Sequence, residues 1–226
     1  MKILALDSSG LVASVAVVEN DTLLAEYTVN YKKTHSQTLL PMLDEISNMT
    51  ELDLSTIDAI AVAGGPGSFT GLRIGSATAK GLGLALEKPL ISIPTTAAIA
   101  YNIWDTDKFV CPIMDARRNQ VYTGVYCYTD HRLDTVWEQD TMSIEALAEG
   151  LNCLDHEVIF LGDGVAVYRE KLEALLTIPF SFAPAHVNRQ RAAAVGALAE
   201  VYYKEGKIQT AEEHEPEYLK KSQAER

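Results

Sequence analysis

The chain runs through one series of segments twice, and this repetition constrains its fold more than any single motif does. Ile3–Leu6 form a short apolar run that ends at Asp7, and Val110–Met114 form another that ends at Asp115. After Asp7 come strand candidates at Ala13–Val18 and Leu23–Asn30, separated by Glu19, Asn20 and Asp21. After Asp115 come Val121–Tyr128 and Thr135–Glu138, separated by Thr129, Asp130 and His131. Runs rich in β-branched residues and bounded by Asn and Asp read as paired strands. In the first half an amphipathic helix is expected next, from about Ser36, with Leu39, Leu40, Leu43 and Ile46 on one face. The second half answers with a helix that starts near Ser143, a residue type that caps helices. Each half then has a buried strand, Ile57–Ala63 and Val158–Leu161, that runs into glycines and a further helix. The second of these helices carries Tyr168, Leu172 and Leu175, and a last helix is expected over about Arg189–Lys204, closing at Gly206.

Three antiparallel strands, a helix, a strand and a helix, written twice, is the layout of the actin-like ATPase superfamily. The expected fold class is therefore α/β: a duplicated actin-like ATPase (ASKHA, ribonuclease H-like) fold with two mixed-sheet lobes. An N-terminal lobe is placed at 1–104 and a C-terminal lobe at 105–226, whose final segment can pack back on the first. The length of 226 residues suits two such lobes. A hydrophobic content of 47% is enough to give each a core.

The stretch AGGPGSFTGLR, Ala63–Arg73, follows the first buried strand. It is not a Walker loop, because no Lys stands where that loop needs one to reach phosphate. It is not a dinucleotide fingerprint either, since the third glycine position holds Phe69 or Thr70. Beyond it, Gly71, Gly75, Ala79 and Gly83 recur every four residues and stack along one helix face. Each glycine inside a helix costs about 1 kcal/mol relative to alanine. Close approach of another backbone offsets that loss, and the spacing leaves open whether the neighbour lies in this chain or in a partner.

Asp7 and Asp115 end the first strand of each half, where actin-like ATPases keep the carboxylates that position Mg²⁺ and water. Asp7-Ser8-Ser9-Gly10 partly supplies the small residues a phosphate turn needs. Asp115-Ala116-Arg117-Arg118 does not, because two long side chains stand where a glycine turn belongs. Asp7, Ser9, Asp115, Gly162 and Gly164 are the candidates for a weak or vestigial ATP or ADP site, without hydrolysis. His35 has Thr38 and Leu39, not ligands, at i+3 and i+4, so it reads as a hydrogen-bonding residue at a helix start. His131, His156, His186 and His214 show no ligand spacing, and no Gly-x-Ser-x-Gly elbow occurs. No catalytic set and no metal set is expected.

The formal net charge of −12, from 19 basic and 31 acidic residues, opposes direct binding of nucleic acid or an anionic membrane. Lys220, Lys221 and Arg226 are too few to make an RNA site and read as solvated. Cys111, Cys127 and Cys153 are an odd, widely spaced set that argues against a disulfide framework. MKILALDSSG is too short and too soon acidic for a signal peptide, and no apolar run is long enough to span a bilayer. A reducing, cytoplasmic setting is expected.

Five segments together resemble one family: ILALDSS at Ile3–Ser9, THSQTLLPML at Thr34–Leu43, GGPGSFTGLRIG at Gly64–Gly75, MDARRNQVY at Met114–Tyr122 and PEYLKKSQAER at Pro216–Arg226. They are similar to the bacterial TsaB family, also called YeaZ, and GPGSFTGLRIG is the most specific piece. The resemblance implies a supporting role in making threonylcarbamoyladenosine beside the tRNA anticodon. It implies that catalysis belongs to a TsaD-type transferase, which holds a metal through a His-x-x-x-His pair. The comparable place here, Pro94–Tyr101, contains no histidine. It also implies an interface on the two helices at about Ser36–Asn48 and Phe69–Glu87, through Leu39, Leu40, Leu43, Gly71, Ile74, Gly75 and Ala79. That surface is expected to pair with the transferase, or with a second copy when the chain is alone. A TsaE-type ATPase joins such assemblies, and tRNA is met only through the complex. The rival readings are an actin-like small-molecule kinase or ATPase and, disfavoured for want of any reactive set, a peptidase.

Overall fold

In the computed structural model, which describes residues 1–31 and 35–220, β1 (Lys2–Asp7) is buried along nearly its whole length and sits at the centre of a five-stranded sheet. β2 (Val12–Glu19) and β3 (Thr22–Asn30) follow it antiparallel, and β4 (Ala59–Gly65) and β5 (Leu90–Pro94) add in parallel on the other side. The order is β3-β2-β1-β4-β5. The second half repeats the plan: β6 (Phe109–Asp115) is followed antiparallel by β7 (Gln120–Thr129) and β8 (Arg132–Ser143), and is flanked in parallel by β9 (Val158–Leu161) and β10 (Phe180–Phe182). Its order is β10-β9-β6-β7-β8. This is the duplicated, mixed-sheet layout expected from the sequence. Both hairpins close through paired left-handed residues, Asn20 and Asp21 with φ of 48° and 62°, and Asp130 and His131 with φ of 50° and 63°. Such turns match the twist of the strands they join.

The chain divides into two units. The first takes Met1–Ala98 and Gln190–Tyr218; the second takes Ile99–Arg189 and resumes at Leu219. In the first, α1 (Leu39–Thr50) and α2 (Phe69–Leu86) cover one face of the sheet and share its core with Leu4, Leu6 and Val15. α1 starts later than expected, after a 3-10 turn at His35–Gln37. Its buried face is Leu39, Met42, Leu43 and Ile46, whereas Leu40 is 54% exposed. The correction is geometric: with Leu39 as first residue, i+3, i+4 and i+7 face the sheet and Leu40 turns about 100° away. Thr34, Lys221 and Arg226, which entered the sequence reading, lie outside the described residues.

α6 (Ala192–Lys204) packs on the same sheet against β1 and β2. Gly196 makes this possible, because an added Cβ would lie 2.7 Å from Val18 Cγ2 and 3.3 Å from Ala5 Cβ. The following segment stays with this unit: Leu90 and Gln209 exchange backbone hydrogen bonds of 2.8 and 3.0 Å, and the Glu217 amide donates to the Gly64 carbonyl at 2.7 Å. In the second unit, α4 (Ile144–Leu154) and α5 (Val165–Leu175) cover β6, β7 and β9 through Leu147, Leu151, Val165 and Leu172. α3 (Thr95–Ala100) follows β5. Among the described residues, no helix is long and apolar enough to cross a membrane.

Candidate functional site

The glycine loop between β4 and α2 folds onto the turn that leaves β1. The Ser68 amide donates to the Ser9 carbonyl at 2.7 Å, and the Ser8 hydroxyl donates to the Gly71 carbonyl at 2.9 Å. Glycine is required for this fit. An added Cβ would lie 2.3 Å from the Ser9 carbonyl oxygen at Gly67, 2.1 Å from that of Ser8 at Gly71, and 2.4 Å from Ser8 Oγ at Gly75. The close neighbour of the small-residue helix face is therefore in this chain. Gly65, with φ 127°, is approached in turn by the carbonyl of Glu217, and the ring of Tyr218 lies 4.9 Å from that of Phe69.

In the turn that leaves β1, Asp7 and Ser9 are fully buried and Ser8 is nearly so. Asp7 Oδ1 accepts from the Ser9 amide at 2.9 Å and the Ser9 hydroxyl at 2.7 Å, while Oδ2 is buried with no partner. Burial pushes the Asp7 carboxyl up to about 6, against the opposing pull of the Ser9 hydrogen bonds and of His35. His35 Nε2 donates to the Gly10 carbonyl at 2.8 Å, a hydrogen-bonding role as expected, though from the turn that precedes α1. Sequence reading passed over Gln190, which is 1% exposed, leaves both amide atoms unpartnered and presses on Gly10. Nothing in its local sequence signals that position.

The candidates in the second unit form their own cluster. Asp115 Oδ1 accepts from the Arg117 amide at 2.9 Å and from the Tyr168 hydroxyl at 3.0 Å. The Asp115 amide donates to Asp163 Oδ1 at 3.3 Å, and burial raises the Asp163 carboxyl above its ordinary range. Gly162, with φ 102°, and Gly164 wrap the Ile113 carbonyl, which accepts from the Gly164 amide at 3.0 Å. These glycines serve close approach to β6, and Asp115 is committed to the turn that follows it.

The residues assigned to a partner surface separate into two groups. Leu39, Leu43, Gly71, Gly75 and Ala79 are buried in the first unit. Leu40 is exposed and Ile74 is half-buried. Beside Ile74, α2 presents Ala77, Gly81, Leu84 and Ala85 to solvent, with Leu84 57% exposed. An added Cβ at Gly81 would meet nothing within 4 Å. This outer face bears no charge between Arg73 and the helix end except Lys80, whose ammonium is held by the carbonyls of Glu212 and His214.

A family model described as TsaD, tRNA N6-adenosine threonylcarbamoyltransferase, matches residues 22–226. The tRNA threonylcarbamoyladenosine biosynthesis protein TsaB of Bacillus subtilis (strain 168) is 35% identical over 176 residues, 78% of this chain and 77% of that protein. The chain belongs to the TsaB family. YeaZ from Pseudomonas aeruginosa superposes with a TM-score of 0.83 at 28% identity, over 96% of this chain and 99% of that one. An inorganic polyphosphate/ATP-glucomannokinase from Arthrobacter sp. strain KM matches with a TM-score of 0.53 at 16% identity, over 90% of this chain and 99% of its own. That likeness shows the fold alone, and it is the actin-like one. In this TsaB-family chain the stretch Pro94–Tyr101 ends β5 and contains the short α3, with Thr95 and Thr96 fully buried at its start.

Proposed function

We propose that the chain is a non-catalytic subunit that supports a TsaD-type transferase in forming N6-threonylcarbamoyladenosine in tRNA beside the anticodon. One observation carries this reading. Both turns where an actin-like enzyme handles phosphate are spent on the chain's own structure, while an uncharged helix face stands open. In the first unit the glycine loop is bonded to Ser8 and Ser9 beside a fully buried Asp7; in the second, Asp115 is bonded to Tyr168 and Arg117. The relatives named for tRNA threonylcarbamoyladenosine biosynthesis supply the pathway.

The interface belongs to the outer face of α1 and α2, with Leu40, Ile74 and Leu84 as contacts and Ala77, Gly81 and Ala85 allowing close approach. Leu39, Leu43, Gly71, Gly75 and Ala79 set that platform from below. The same face pairs two copies when the transferase is absent, and any nucleotide requirement lies with a TsaE-type ATPase in the cytoplasmic assembly. Gly81→Trp and Leu84→Asp test this without disturbing the core. Each should abolish co-purification with the transferase, and with it tRNA modification in a reconstituted reaction, while the protein stays folded with a melting temperature within a few degrees of the parent. Central interface residues commonly contribute about 2 kcal/mol or more. Full retention of the complex by both variants would remove the interface from this face.

A further inference from the structure

The turn between β6 and β7 holds two arginines in a conformation that they do not favour. Arg117, Arg118 and Asn119 are consecutive, none is glycine, and all three are left-handed, with φ of 61°, 55° and 60°. Non-glycine residues in this region cost stability, and they persist where the surroundings over-determine them. Here the surroundings do so on every side. The Ala116 amide donates to the Gln120 carbonyl at 2.9 Å, and the Arg117 amide to Asp115. Asn119 donates to Glu145 Oε2 at 2.7 Å and accepts from Lys171, and Lys220 Nζ donates to the Ala116 carbonyl at 2.8 Å.

What this frame holds up is a pair of exposed guanidinium groups. Lys108, Lys171, Arg132, Arg169, Arg191 and Lys207 each face a carboxylate. Among the described residues, Arg117 and Arg118 have no such partner, and neither have Arg73, Lys88 and Lys204, but Arg117 and Arg118 are adjacent, both exposed and both of positive φ. A rigid, strained turn that keeps two adjacent arginines unpaired on an acidic protein has the form of an anion contact.

We propose that the Arg117–Arg118 turn meets the phosphate backbone of the tRNA on which the assembly acts, an inference that rests on the function proposed above. Planar guanidinium forks match phosphate oxygens two at a time, and contacts of this kind fix the register of an RNA without reading its sequence. The net charge of −12 repels RNA from the rest of the surface, so this turn orients the tRNA and supplies a small share of the grip.

The test uses the assembled complex of this chain, the transferase and tRNA, with affinity measured across a series of KCl concentrations. Arg117→Gly/Arg118→Gly removes both charges and places glycine at positions with positive φ, so the variant should melt no lower than the parent. We expect its complex to bind tRNA about tenfold more weakly, with the salt dependence of log K reduced by about two. Arg117→Lys/Arg118→Lys should keep most of that salt dependence. Unchanged affinity and slope for the glycine pair overturns the inference and leaves the proposed function standing. So does weaker co-purification with the transferase at unchanged tRNA affinity, which would make the turn a contact to acidic protein. A parent complex that does not modify tRNA removes the function and the inference together, a failure seen without any variant.

Discussion

At Asp7, burial sets how tightly the carboxyl holds its proton. The carboxyl has no exposed surface, one oxygen without a partner, and a proton affinity pushed up from an ordinary 3.8 to about 6. Desolvation is the main cause, and the two Ser9 hydrogen bonds only moderate it. The folded protein therefore binds this proton more tightly than the unfolded chain does. The stability it contributes is present in full below about pH 4 and is lost as pH rises through about 6, a difference of about 3 kcal/mol. Asp7→Asn keeps an acceptor for Ser9 and removes the charge. We expect the variant to gain stability over the parent between pH 4 and pH 7, by up to about 3 kcal/mol at the upper end. Urea unfolding at several pH values measures this, and a constant difference between the two proteins would show that Asp7 does not titrate in that window.

At the scale of the element, α2 separates two uses of glycine. On its inner face, an alanine at Gly71 would put Cβ 2.1 Å from the Ser8 carbonyl oxygen, a backbone atom with little freedom to move. On its outer face, Gly81 has open space. Gly71→Ala should destabilise the protein by about 2 kcal/mol or more through overpacking, whereas Gly81→Ala should stabilise it by about 1 kcal/mol through helix propensity. Chemical denaturation of the two variants should move in opposite directions; shifts of the same sign would mean the two helix faces are not so distinguished. The sequence made the glycine face legible because a four-residue period in a helix needs no tertiary knowledge. It did not say which neighbour fills the groove, since Ser8 lies 63 residues from Gly71. Leu40 was misplaced for a related reason: apolar spacing near a helix start gives the right face only once the first residue is known. The hairpin turns at Asn20-Asp21 and Asp130-His131 were legible because their residue types tolerate the left-handed backbone. Arg117 and Arg118 do not advertise that backbone, so the strain in their turn emerged only from the structure.

For the whole molecule, the duplicated order of strands and helices was readable from runs and turns, but the way the first unit closes was not. That unit is built from two stretches, Met1–Ala98 and Gln190–Tyr218, and a long sequence separation leaves no local signature. α6 has no side-chain cap of its own, since Arg191 precedes it. The acceptors come from distant strands: Ser14 Oγ in β2 receives the Ala192 amide at 2.9 Å, and Glu26 in β3 receives the Ala193 amide at 3.1 Å. Glu26 also accepts from Arg191 Nε at 3.1 Å, with its own side chain 11% exposed. A carboxylate at a helix N-terminus is favoured by the free amides and by the helix dipole. Glu26 thus caps and charge-matches a helix that begins 166 positions later in the sequence. Glu26→Gln keeps an oxygen for Ala193 but leaves Arg191 without its counter-charge, and should cost about 1–2 kcal/mol. Glu26→Ala removes cap and counter-charge together and should cost about 3 kcal/mol. In a double-mutant cycle with Arg191→Ala, the coupling should exceed about 1 kcal/mol, because the two residues share one network. If the two changes simply add, Glu26 holds α6 through the backbone alone, and the ion pair contributes nothing to closing the first unit.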